Sequence, residues 1–404
     1  MVRRTHHALL SAAIALALLC VAAGCGSASG DAPPSPRRVL DMSYGVAGKV
    51  AFTDGVSSIA LAPDGSAFVA SSFTGIFYRV DAMGAMTGPQ ILPVVGYGLV
   101  ADKDGNAYAA FQNTVFKFNA AGPDSGYADS GMALAYTPPP GVGAVISSLV
   151  PLPEGSLYVI IRQSQDPLFW DALVIVKLGP DGRPVASFGE GGRVTHHLAS
   201  MTSLVFGAVD SAGNLYVSFW NGDGRDARMN LAKFGRDGQL VSGFGSGGVW
   251  SGTRTRCAAW APAIDSAGFV WLPGECTDAS GAFGEVLVKL DSNGQPVAGF
   301  GKDGYLDGFY GTLQDKSGES IAQRMVIAPD GTMYVSGYAV LAGCVVYRVV
   351  ALDPQGNRIA SFGTDGTLLG GRLAALDAAN RLYVVSRTSS CGSGQTRDVL
   401  SRYL

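Results

Sequence analysis

A tight turn followed by an aromatic recurs seven times along this chain, and no other feature restricts the fold so strongly. The copies read PDGSAFV, KDGNAYA, PEGSLYV, SAGNLYV, SAGFVWL, PDGTMYV and, with Asn in place of Gly, AANRLYV. Their aromatics are Phe68, Tyr108, Tyr158, Tyr216, Trp271, Tyr334 and Tyr383, spaced 40 to 63 residues apart. Asp-Gly between alternating apolar runs signals a hairpin, because Gly accepts positive φ without steric cost. A second turn follows in most units, as GPDGR, GRDGQ, DSNGQ and DPQGN. A strand such as VIVKL or VVYRVVAL precedes it, and a shorter strand such as RPVASF is expected to follow. Each unit therefore offers four short strands. No stretch shows a helical period with caps.

Units of about 50 residues with four strands each cannot bury a hydrophobic face alone. Radial packing solves that problem, so the expected fold is all-β: a seven-bladed β-propeller of four-stranded antiparallel blades. A β-solenoid is the alternative, but its coils are shorter and less variable in length. The period, with its Phe-Gly-x-x-Gly element at Phe188, Phe244, Phe300 and Phe362, resembles the delta-60 β-propeller repeats, with kinship to NHL-type repeats. That element is degraded at Tyr127 (YADSG) and lost between the first two units. The resemblance covers residues 39–404 and implies a fold far more than an activity.

The seventh unit runs out after three strands, near Leu373–Leu376, Arg381–Val385 and Val399–Leu404. Val39–Ser43 has the character of the missing fourth strand, and Tyr44-Gly45-Val46-Ala47-Gly48 matches the element that follows it elsewhere. The segment from residue 39 is thus expected to pair with the last blade and close the ring, leaving no exposed sheet edge there.

Residues 1–24 read as a signal peptide. Arg3 and Arg4 precede an apolar run from Ala8 to Leu19, the length of a signal h-region and too short to span a bilayer. Ala22-Ala23-Gly24-Cys25 resembles the lipobox of bacterial lipoproteins, which implies lipidation of Cys25. An ordinary secretory signal cleaved nearby is the alternative. Residues 25–38 form a Gly-, Ser- and Pro-rich tether of roughly 40 Å if its Pro-rich part is extended. Gly26 after the Cys fits, by the same resemblance, sorting to the outer membrane. The chain is expected to be exported, lipid-anchored in the cell envelope and monomeric. Its formal net charge of −3 offers no basic surface for nucleic acid.

Strand parity assigns the connections to two faces. The Asp-Gly turns and the second turns share one face. Connections between strands two and three, and between blades, share the other and carry nearly all the length variation. Candidate ligand residues on that variable face are Trp170, Trp220, Asn221, Asp223, Arg225 and Asp226. Tolerated drift of exposed loops would give the same pattern.

Past the signal and Cys25, four cysteines remain: Cys257, Cys276, Cys344 and Cys391. Cys257 and Cys276 are equidistant from the turn at 265–268 and so lie opposite each other across a hairpin, near enough for a disulfide. Cys344 and Cys391 occupy equivalent connections in neighbouring blades, and their pairing needs the long seventh-unit loop to reach across. No Cys-x-x-Cys suggests zinc.

Catalytic chemistry is sparse. His196 and His197 are adjacent and point to opposite faces of a strand, a poor chelate. Residues 221–226 (NGDGRD) carry oxygens able to hold Ca²⁺ but lack the closing Glu of an EF-hand. Residues 102–106 (DKDGN) read better as a hairpin turn. No cofactor is expected. The expected function is a non-catalytic scaffold binding a protein, peptide or glycan through the variable face. The alternatives are a lyase- or lactonase-type propeller enzyme with a central metal, or a purely structural envelope protein. The enzyme would need carboxylates or histidines converging where the innermost strands meet, and those positions are mostly apolar.

Overall fold

The computed structural model describes residues 38–71, 75–91, 98–164, 170–201, 205–222, 225–277, 281, 283–310, 320–341, 344–387 and 397–404. The signal peptide, the tether up to residue 37 with Cys25, Asp223, Cys391 and residues 311–319 lie outside them. The described residues are all-β. They form seven blades of four antiparallel strands in a ring, a β-propeller. Blade 1 runs Ser58–Leu61, Ala67–Ser71, Ile76–Val80, Met86–Ile91, and blade 6 runs Ser320–Ile327, Met333–Leu341, Cys344–Leu352, Thr367–Leu369. The first strands touch one another in succession, from Ser58–Leu61 round to Gly371–Leu376 and back to Ser58–Leu61, so they form the innermost circle.

Burial follows from that circle. Seven apolar clusters occupy the seven interfaces between neighbouring blades. Each second strand is covered on both faces, as in Leu157–Ser164, whose first five residues are all buried. A single blade would leave both faces wet, which is why the sequence repeats.

The turns use their aspartates as the alternating pattern requires. Asp102 Oδ1 accepts the backbone N–H of Asp104 and Asn106 at 2.9 Å, and its Oδ2 accepts from Asn106 Nδ2 and Tyr108 Oη. The segment 102–106 is a hairpin turn whose carboxylate is consumed internally.

Closure is present, but the strand that closes the ring is not the expected one. Val39–Ser43 makes only a bridge, Leu40 opposite Tyr403. The outer strand of blade 7 is Lys49–Phe52, paired with Asp398–Tyr403 in register Lys49↔Ser401. The same correction applies to RPVASF and its equivalents. Pro184, Leu240, Pro296 and Arg358 each make one bridge to the third strand. The chain then turns: Val185 N donates to Lys177 O at 2.8 Å and Phe188 N to Val185 O at 2.9 Å. Asp41 N to Arg402 O (2.8 Å) and Tyr44 N to Asp41 O (3.0 Å) repeat that pattern. The turn tucks the aromatic inward, and the outer strand forms only after the second Gly. A run that must bury its last aromatic cannot continue as a flat edge strand.

Each tucked aromatic meets its blade's repeat aromatic: Tyr158–Phe188 at 5.4 Å, Trp271–Phe300 at 5.1 Å, Tyr334–Phe362 at 5.3 Å and Tyr44–Tyr383 at 5.7 Å between ring centroids. Gly45 (φ +57°) shares with Gly189, Gly245, Gly301 and Gly363 a left-handed backbone whose added Cβ would lie 2.1–2.4 Å from the carbonyl oxygen four residues on. Tyr44-Gly45 is therefore the missing Phe-Gly of the seventh blade.

Candidate functional site

The innermost strands decide what the axis can do. Among their described residues, Arg324 and Arg372 are the only charged side chains. No Asp, Glu or His lies on any of them. Both arginines owe their positions to bulges. The first strands of blades 3, 6 and 7 carry register shifts between Ile146 and Ser148, Ala322 and Arg324, and Gly371 and Leu373. The extra residues are Ser147, Gln323 and Arg372, at the same offset from the repeat aromatic. A bulge adds twist and re-aims the side chains beside it. Arg372 is such an extra residue, and Arg324 directly follows one.

The two first strands are neighbours in the inner circle, so both arginines lie at the axial end of the interface between blades 6 and 7. Arg372 donates Nη1 to the carbonyl of Val56, lies over the Tyr347 ring at 5.4 Å, and stands 3.9 Å from Asp398 Oδ2. Asp398 is already engaged. Its covered carboxylate accepts Arg387 Nε at 2.7 Å, Arg387 Nη2 at 2.8 Å and the Val56 N–H at 2.5 Å. That pair holds the Arg387 pKa above its ordinary value. Arg324 makes no side-chain hydrogen bond or ion pair with the described residues. Burial, then repulsion from Arg372, push its pKa down. Tyr347 and Arg387, which neighbour Arg372, also line a groove of about 560 Å³, with Val346, Tyr347 and Leu368 on one wall and Arg387, Arg397 and Val399 on the other; neither Arg324 nor Arg372 lines it.

The variable-face candidates fall into two groups. Trp170 is half-buried, with Arg162 over its ring at 4.7 Å and Arg162 Nε donating to Ser147 Oγ at 2.8 Å. Burial lowers the Arg162 pKa. Trp170 pairs with Met201, and Met201 pairs with Asn221, so blades 3 and 4 share one continuous sheet. Asn221 is tied down by Asn230 Nδ2 at 2.8 Å. Trp220 is half-buried, Arg225 and Asp226 are exposed, and Asp223 lies outside the described residues. The structure thus brings Trp170 and Asn221 onto one sheet but leaves them across the ring from the arginine pair.

His196 is half-buried against Phe234 (5.8 Å), and His197 is exposed. Burial, then His197, lower the His196 pKa. Among the described residues, no three His, Cys, Asp or Glu gather as a metal site would. Cys257 and Cys276 form a disulfide across the expected hairpin, with Cα atoms 4.1 Å apart. Cys344 is disulfide-bonded, and the partner expected for it, Cys391, lies outside the described residues.

The sequence reading missed the Arg324–Arg372 pair. Only an alignment of the seven first strands on their aromatics would have revealed two arginines among apolar equivalents. It also missed the cation that faces the repeat aromatic across the second and third strands in six of the seven blades. These pairs are Phe68↔Arg79, Tyr108↔Lys117, Tyr158↔Lys177, Tyr216↔Lys233, Trp271↔Lys289 and Tyr383↔Arg402.

No family model and no curated protein sequence matches the chain. Similar solved structures exist. One is a catalytically inactive form of virginiamycin B lyase from Staphylococcus aureus with quinupristin (10% identity, 87% of this chain, 98% of that one, TM-score 0.47). Another is a PQQ-bound aldose sugar dehydrogenase from Streptomyces coelicolor (11%, 90%, 98%, 0.43). A third is YCF48 bound to D1 peptide (7%, 90%, 99%, 0.48). These likenesses concern the fold, and no residue role is carried across.

Proposed function

We propose that the chain is a non-catalytic cell-envelope scaffold of the delta-60/NHL-like kind, lipid-anchored through Cys25. On this reading it captures an acidic peptide segment at the axial end of the interface between blades 6 and 7. One observation carries the reading: the only charged residues described on the innermost strands are two arginines, and the nearest carboxylate, Asp398, is engaged by Arg387. A guanidinium presents a planar fork of donors that matches a carboxylate, and partial burial strengthens the pairing. A peptide is favoured over a uronic-acid glycan because the neighbouring groove is walled by Val346, Leu368 and Val399, which suit apolar side chains beside the acid.

The test is calorimetric titration with hexaglutamate, with hexagalacturonate as a parallel arm. Hexaglutamate is expected to bind with a salt-dependent affinity that falls at least tenfold in Arg324→Gln/Arg372→Gln and stays unchanged in Arg79→Gln. Equal affinity for wild type and the double variant rejects the site. Stronger binding of the uronate rejects the peptide.

A further inference from the structure

Arg38, the first described residue, stands on the face of the Asp-Gly turns, opposite the variable loops. Arg38 is pinned there: Nε donates to Tyr334 Oη at 2.8 Å, Nη2 to Asn380 Oδ1 at 3.1 Å, and Nη1 to the Asn380 carbonyl. Asn380 belongs to the turn between the first and second strands of blade 7, and Tyr334 directly follows the corresponding turn of blade 6. Beside Arg38 the surface turns apolar. Eleven large apolar side chains are exposed among the described residues, and six sit on this rim: Val39, Met42, Val46, Met83, Met86 and Leu404, whose N donates to Val39 O at 2.8 Å. Val46 is 83% exposed and Met42 65%. Gly45 N donates to Met83 O at 2.8 Å, and Val46 and Met83 line one shallow groove. Met86 begins the next outer strand. Such a cluster is unusual for a surface whose other exposed apolar residues are scattered.

We propose that this rim rests on the bilayer that holds the acyl group of Cys25. The inference builds on the lipid-anchored reading above. Two observations choose a membrane as the occupant. Arg38 lies 13 residues beyond Cys25, so even a fully extended tether keeps the rim within about 45 Å of the lipid. Lys49, exposed beside the groove, places a cation next to the apolar side chains, the arrangement that favours anionic headgroups. The tether raises the rim's effective concentration at the surface, so weak burial of a few side chains is enough to orient the ring. Docked in this way, the ring turns the arginine pair and the variable loops away from the membrane.

The lipidated full chain, in vesicles of phosphatidylethanolamine and phosphatidylglycerol with brominated acyl chains, tests this directly. Bimane on Met83→Cys is expected to lose more than half its fluorescence, and bimane on Asp226→Cys less than a tenth. Equal quenching at both sites overturns the proposal. So does protection of Met83 that disappears on dilution, since a second copy would then cover the rim. All seven blade interfaces lie within residues 38–404, so a 26–404 chain retains the ring without its anchor. In vesicle flotation its partition is expected to fall about tenfold in Met42→Ser/Val46→Ser/Met83→Ser. No partition, or no change, overturns the rim proposal whether or not Cys25 is acylated. A mass measurement of the Cys25 peptide judges the lipid anchor separately.

Discussion

The guanidinium of Arg38 lies 5.4 Å from the ring centroid of Tyr334 and donates Nε to its hydroxyl at 2.8 Å. In the six other blades the repeat aromatic faces Arg or Lys on the third strand. In blade 6 the facing residue is Ala351. The missing cation is supplied by the segment that enters the ring, so blade 6 is completed by residues nearly 300 positions away.

Arg38→Ala is therefore expected to lower stability by about 1–2 kcal/mol. Ala351→Lys in the same background should restore part of it, because the lysine would occupy the place that Lys289 takes over Trp271 at 4.4 Å. Urea unfolding of the two variants checks this. No recovery would show that Arg38 acts through Asn380 alone.

Asp41 and Arg402 make the buried lock of the ring. Their closest N–O distance is 2.6 Å, with side chains 8% and 3% exposed. Arg402 also covers the Tyr44 ring at 4.5 Å. Asp41→Ala strands a buried guanidinium and should cost about 3–5 kcal/mol, more than Asp41→Leu combined with Arg402→Met. Differential scanning calorimetry of both variants orders them.

The same carboxylate predicts an acid dependence. Hydrogen bonds from Ser43 (Oγ at 2.6 Å) and then Arg402 hold the Asp41 pKa below its ordinary value against the cost of burial. A depressed folded pKa gives stability that is present above the unfolded value, about 3.9, and is lost as pH falls through the folded one. The stability gap between wild type and Asp41→Asn should thus be full at neutral pH and shrink below about pH 4. A gap that is flat down to acid would sink this assignment.

Two glycines of blade 4 separate backbone strain from collision. Gly245 (φ +56°) and Gly247 (φ +62°) share a left-handed conformation, but a Cβ on Gly245 would lie 2.3 Å from Val249 O, and one on Gly247 meets nothing within 4 Å. Gly247→Ala should cost about 1 kcal/mol and Gly245→Ala at least 2–3 kcal/mol. Chemical denaturation midpoints give the comparison.

Reducing Cys257–Cys276 releases a loop with a sequence separation of 19 and should lower stability by about 3 kcal/mol on chain-entropy grounds. Melting with and without reductant, against Cys257→Ala/Cys276→Ala, measures it.

The sequence by itself determined the blade count, the strand number, the disulfide opposite the 265–268 turn and the fact of closure. Those features are local: a turn glycine, an aromatic at a fixed offset, and an alternation that repeats wherever the same sheet must bury two faces. What only the tertiary structure decided lies between units. Whether Val39–Ser43 or Lys49–Phe52 becomes the outer strand depends on Tyr44 finding room beneath Tyr383. That Arg38 serves Tyr334, and that Arg324 and Arg372 meet at the axis, depends on which blades become neighbours across a closed ring. Spacing along the chain records the hydrogen bonds a strand makes with its next turn. It does not record which distant side chains are brought together when the seventh interface shuts.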